Sequence, residues 1–180
     1  MKIKITHLTL GLVLIFLLGI VGCKIYNISE ETLEIIIYPN EVLREKALPV
    51  DEITPEIENL AQLMINTMQQ RTSGVGLAAP QVGVSKRIIV VKLDRGSSED
   101  EILVMVNPEI IERSENNVSA TERCLSIPGK KNDVPRAKWV IVEYQNLAGE
   151  EVIVGEVNRN ARIIQHEIDH LDGILIIDYQ

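Results

Sequence analysis

A chain of 180 residues is long enough to enclose one hydrophobic core. It is 46% hydrophobic but only 3% aromatic, so aliphatic side chains must fill that core. The formal net charge is -8 and no basic stripe is present, which argues against a nucleic-acid-binding surface.

In chain order, Lys2 and Lys4 precede an apolar run from Leu8 to Val21, the pattern of a secretory signal. The run falls short of the about 20 residues a helix needs to cross a bilayer, although counting from Ile5 makes a span just feasible. It ends in Ile20-Val21-Gly22-Cys23, which resembles the lipobox of bacterial lipoproteins; Cys23 would be the lipidated residue. The alternative is a plain signal anchor. Either way the N-terminus tethers the chain to a membrane, and lysines on the inner side place the globular part outside the cytoplasm. The sequence divides into a signal or anchor over 1–23, a linker over 24–32 and a catalytic-type domain over 33–180. With Cys23 lipidated and Cys124 given a role below, no disulfide is expected.

Leu33 to Tyr38 reads as a short strand or extended lead-in, and Glu41 to Val50 as a helical turn ahead of Pro49. Thr54-Pro55-Glu56 is an N-cap, a proline at the first helical position and an early acid. Ile57, Leu60, Ala61, Met64 and Met68 follow at helical spacing, predicting an amphipathic helix over 55–71 with the methionines as core filler. Then comes Ser73-Gly74-Val75-Gly76-Leu77-Ala78-Ala79-Pro80-Gln81-Val82-Gly83, whose small residues allow close backbone approach. It follows a helix rather than a strand and lacks both dinucleotide-loop and phosphate-loop spacing; an edge for an extended peptide fits it better.

Arg87 to Leu93, Ile102 to Val106, Glu109 to Arg113, Asn117 to Thr121, Lys138 to Tyr144 and Glu151 to Val157 read as strands, the last two forming a hairpin. Strands grouped ahead of a late helix predict an α+β fold: antiparallel sheets packed around that helix. Asn158 is placed to cap the helix, Gly173 to end it, and Ala161, Ile164, Ile168 and Leu171 form its buried face. Ile174 to Ile177 reads as a final strand.

The helix carries Gln165-His166-Glu167-Ile168-Asp169-His170. Positions i and i+4 share a helix face, so His166 and His170 can hold one transition metal, with Glu167 close enough to exchange a proton with water on it. Such a centre needs a third protein ligand. The other histidine, His7, is in the N-terminal run, and Ile176 stands where a metzincin pattern would place another. Upstream, Cys124 is the best candidate, because thiolate binds these metals strongly.

Three stretches together resemble the peptide deformylase family: Gly74-Val75-Gly76-Leu77-Ala78-Ala79-Pro80-Gln81, Glu122-Arg123-Cys124-Leu125-Ser126, and His166-Glu167-Ile168-Asp169-His170. The resemblance covers nearly all of the chain after the linker. It implies hydrolysis of the formyl group from N-formylmethionyl peptides, releasing formate. Cys124, His166 and His170 would bind one divalent ion, Fe2+ by the family's habit, with Zn2+, Ni2+ or Co2+ as substitutes. Glu167 would take a proton from the bound water and deliver one to the leaving amine. The Leu125 N–H and the Gln81 amide would stabilise the oxyanion. Gly74, Val75 and Gly76 would hold the substrate backbone, and a Glu122–Arg136 ion pair would brace the metal-bearing segment. The catalytic domain is expected to be monomeric.

Two departures from the family pattern stand out. Arg123 replaces the usual glycine before the cysteine, bringing a long cation to the site, and the chain ends at Gln180 without the C-terminal helix of many bacterial members. A zincin-like endopeptidase and a tethered formyl-peptide binder with little turnover are the competing functions. Family members usually act on nascent chains in the cytoplasm, so a cytoplasmic or cytoplasmic-face enzyme competes with an exported one.

Overall fold

The computed structural model describes residues 31–96 and 100–179. The N-terminal run, Cys23 and nearly all of the linker lie outside the described residues. Among the described residues, no helix is long and apolar enough to cross a membrane.

Strand β2 (Ile88–Leu93) shows how the core is built. Every residue in it except Lys92 is buried. Successive side chains of a strand point to opposite faces. Ile89, Val91 and Leu93 thus enter one apolar cluster, and Ile88 and Val90 another. Both faces are covered: α1 (Pro55–Gln69) lies on one and α2 (Asn158–Leu171) on the other. From α1, Met64 and Met68 reach zero exposure, as expected of core filler. From α2, Ala161, Ile164, Ile168 and Leu171 supply the apolar face.

Strand β2 belongs to a five-stranded antiparallel sheet of order β1-β2-β3-β6-β7. Its other members are β1 (Gly76–Ala78), β3 (Glu101–Arg113), β6 (Trp139–Gln145) and β7 (Glu151–Val157). Leu77 faces Val90, Val90 faces Val104, and Val142 faces Val154. A separate two-stranded sheet pairs β4 (Asn117–Glu122) with β5 (Asn132–Ala137). Under it, Leu43, Cys124, Ile127, Val134, Leu175 and Ile176 form a third apolar cluster. The result is the expected α+β arrangement, antiparallel sheets around a late helix.

Several local expectations are corrected. Ile102–Val106 and Glu109–Arg113 are one strand rather than two, with its pairing to β6 shifted around Asn107 and Pro108. Asn107 takes a left-handed φ of 51° and exchanges two hydrogen bonds of 2.8 Å with the Val50 backbone. Of the two readings of Leu33–Tyr38 the extended lead-in is the one found, tied by Ile36 N to Gln81 O and Tyr38 N to Ser126 O. Strand β5 was not anticipated, because Pro135 reads as a strand breaker; it is tolerated in a two-stranded sheet, where one side of each strand needs no partner.

Ile174–Ile177 forms no strand. Leu175 and Ile176 are drawn into the third cluster and the backbone closes a 3-10 turn at Ile176–Asp178. Nor does Asn158 cap α2: Val157 holds the cap position without a side-chain bond, while Asn158 sits at φ 52° with its N–H on Lys138 O.

Candidate metal centre

Helix α2 presents its two imidazoles because its other face is fixed. The Gln165 side chain accepts from Ala137 N and donates to Ala137 O, both at 3.0 Å, docking the helix on the end of β5. This holds the rotation of α2, so His166 and His170, one turn apart, face Cys124 just beyond β4. Cys124 Sγ is 3.2 Å from His170 Nε2. The ligand atoms offered by Cys124, His166 and His170 all lie within 4.8 Å of one another. The third ligand expected from mid-chain is therefore where the two histidines need it.

The donor set fits one divalent transition metal. Cys124 is a free, buried thiol, and soft sulfur with two imidazoles suits such ions. His170 is 1% exposed, and burial pushes its pKa well down, keeping the neutral imidazole a ligand must be. Its Nδ1 is buried without a partner, leaving Nε2 turned toward Cys124. His166 Nδ1 donates to Glu122 Oε2 at 2.9 Å; burial would lower its pKa, but the hydrogen bonds with Cys124 and Glu122 raise it to about 10, so a cation bound by this ring would take the place of a proton.

Glu122 is the hub on the outer side of the centre. Arg136 grips it with two hydrogen bonds of 3.0 Å, and Arg162 adds a third at 2.7 Å. Burial alone would raise this carboxyl, but the hydrogen bonds from His166 and Arg136, and the Arg136 charge, outweigh it and hold the pKa at about 2. Arg136 also meets Asp169, and Tyr179 Oη donates to Asp169 at 2.6 Å. The expected Glu122–Arg136 pair is thus formed, and it is buried rather than superficial.

Glu167 lies on the inner side. The residue is 4% exposed, and its buried Oε2 has no hydrogen-bond partner. Desolvation, opposed by the nearby His166, pushes its pKa up to about 7. The carboxylate packs against Gly76, where an added Cβ would overlap Oε1. Gln81 is 2% exposed and its amide is oriented: Oε1 accepts from Ala78 N at 2.9 Å, so Nε2 points to Ser126 Oγ at 3.2 Å and Cys124 Sγ at 3.6 Å.

These groups meet at a cleft of about 750 Å³, which Gly74, Val75 and Gly76 border on one side and Arg123, Cys124 and Leu125 on another. The sequence-predicted site residues that the structure describes are therefore brought together; Arg136, behind Glu122, and His170, beside Cys124, are the two that do not line the cleft. Arg162, Asp169, Tyr179 and Ser126 were missed. Two of them had a signal: Arg162 and Asp169 stand four residues before and three after His166 on one helix, within reach of the same side.

Comparison with known proteins agrees with this geometry. The family description "Polypeptide deformylase" matches residues 32–180. A peptide deformylase from Desulforudis audaxviator is 47% identical over 145 residues, 81% of this chain and 91% of the relative. One from Desulfitobacterium hafniense is 49% identical over 146 residues, 81% of this chain and 92% of the relative. The Met-Ala-Ser-bound crystal structure of a class I type b peptide deformylase from Acinetobacter baumannii superposes with a TM-score of 0.78 at 38% identity, covering 84% of this chain and 99% of that one.

Proposed function

The chain belongs to the peptide deformylase family, removing the formyl group from N-formylmethionyl peptides at a Cys/His/His metal site, and on that premise we propose how its residues divide the work. The observation that carries the reading is Cys124 Sγ beside the two imidazoles of α2, with a buried carboxylate one residue from the first. A divalent cation held by Cys124, His166 and His170 would polarise the formyl carbonyl and acidify the attacking water. We take Fe2+ as the native ion by family habit, with Zn2+, Ni2+ or Co2+ as substitutes; the mixed sulfur and nitrogen donors suit all four.

Glu167 accepts the proton that water gives up as it adds to the formyl carbon, and returns a proton to the amine nitrogen as the C–N bond breaks. A pKa near 7 suits both transfers at neutral pH. Formate and a free N-terminus leave. The Gln81 Nε2–H and the Leu125 N–H are the donors for negative charge developing on the formyl oxygen. The backbone of Gly74, Val75 and Gly76 pairs with the substrate chain as a strand would. Glu122 and Arg136 hold the His166 ring in its metal-binding orientation.

Residues 33–180 act in this reading as a monomeric catalytic domain, behind a lipidated Cys23 that holds it outside the cytoplasm. The Lys2/Lys4 charges and the Ile20-Val21-Gly22-Cys23 sequence support the tether. Palmitate labelling that survives Cys23→Ser would remove it. For the activity, protein loaded with Fe2+ or Ni2+ is given formyl-Met-Ala-Ser and formate is measured. No formate, where a control deformylase releases it, would overturn the assignment.

A further inference from the structure

The cleft has a sign opposite to that of the chain. Its two lining carboxylates, Glu122 and Glu167, are buried within the centre itself, while Arg123, Lys130, Lys131, Arg159 and Arg162 also line it. Arg162 is taken up by Glu122 and by the carbonyls of Val134 and Val118. Arg123, Lys130, Lys131 and Arg159 are exposed, and none has an ion pair or side-chain hydrogen bond among the described residues. Away from the cleft, Arg44, Arg87, Lys92, Arg95 and Arg136 each meet a carboxylate, while Lys46, Arg71, Lys86, Arg113 and Lys138 have no ion pair among the described residues and stand apart from one another along the chain.

The four unpaired cations of the rim come from two places in the fold: the β4–β5 connection, with Arg123 at its start and Lys130 and Lys131 at its end, and the first turn of α2. Two segments distant in sequence thus bring like charge to one opening on a chain of net charge -8. Like charges gathered there cost stability unless an anion arrives, and low-dielectric cleft walls focus their field outward. Val75, Leu125, Ile127 and Ile163 supply those walls.

We propose that this rim is a specificity device, selecting formylmethionyl peptides whose following residues carry acidic side chains. The proposal rests on the deformylase reading and adds the substrate class. An acidic peptide fits better than a nucleic acid, because the cations ring a short opening and a longer polyanion would run onto a surface of the same sign as itself.

The test compares C-terminally amidated formyl-Met-Ala-Glu-Glu, formyl-Met-Ala-Ser-Ser and formyl-Met-Ala-Lys-Lys on the metal-loaded protein. Turnover of the Ser-Ser peptide reports the deformylase reading alone; the ratio of the other two reports the rim. At low salt the Glu-Glu peptide should exceed the Lys-Lys peptide in kcat/KM by about tenfold or more, and the gap should shrink with added salt. Arg123→Glu with Lys131→Glu should invert the order, and the milder K130Q/K131Q pair should narrow it if the first variant does not fold. Equal or reversed rates in the native protein would overturn the proposal. Calorimetry with Met-Ala-Glu-Glu and Met-Ala-Lys-Lys amides should give the same order in binding, independent of turnover. A single-stranded oligonucleotide held more tightly than the Glu-Glu peptide would also overturn it.

Discussion

The outer and inner sides of the metal centre each contain a buried glutamate, and the two are treated in opposite ways. Glu122 is held by His166, Arg136 and Arg162, and its pKa falls to about 2. Glu167 keeps one oxygen without a partner, and burial lifts its pKa to about 7. One side chain is fixed as an anion that orients an imidazole; the other is left able to gain and lose a proton. Residue type does not decide the role here; the number and charge of the neighbours do.

The largest effect should come from removing the mobile proton. Glu167→Gln should lower kcat by about 1,000-fold or more while the protein still carries its metal, as read by formate release and metal content. Undiminished turnover would end the distinction between the two glutamates. Gly76→Ala tests whether Glu167 depends on its seat. The new Cβ would collide with the carboxylate, and misplacing the base should cost about 100-fold in kcat.

On the outer side, Arg136→Ala should leave Glu122 and Asp169 short of their cation. Metal affinity should fall by about 10- to 100-fold, measured by competition with a chelator, along with a lower thermal midpoint. The smallest effect concerns acid. Glu122 has a folded pKa below the ordinary 4.5, so its stabilising contribution is complete above about 4.5 and disappears as pH falls toward about 2. Glu122→Gln should flatten that part of the acid unfolding curve, and an unchanged curve would mean that the network contributes little.

Much of the inner side is legible in sequence because its chemistry is local. His166 and His170 share a face by helical periodicity alone, and Glu167 is fixed by adjacency. Gln81 and Cys124 stand in short stretches that resemble a family's. The outer side is harder to read because it is assembled from distant segments. Tyr179 meets Asp169 only because the C-terminal residues turn back under β5, and that turn was read as a strand. Leu175 and Ile176 are apolar in either conformation; what decides is the pocket beside Leu43 and Ile127 that takes both side chains. Pro135 hid β5 in the same way, since a residue that breaks a central strand is harmless in a pair. Of the cationic rim only Arg123 shows along the chain, as a departure from the family pattern; Lys130, Lys131 and Arg159 join it only through the fold.

The way the C-terminal segment is fastened has a practical consequence. One Asn132 amide donates to the carbonyls of both Ile176 and Tyr179, and the Tyr179 phenol joins Asp169 and Arg136 behind the ligand His166. A purification handle fused after Gln180 would tug on a residue only a few bonds removed from that imidazole. Rates and metal titrations are therefore best compared on protein from which such a handle has been cleaved.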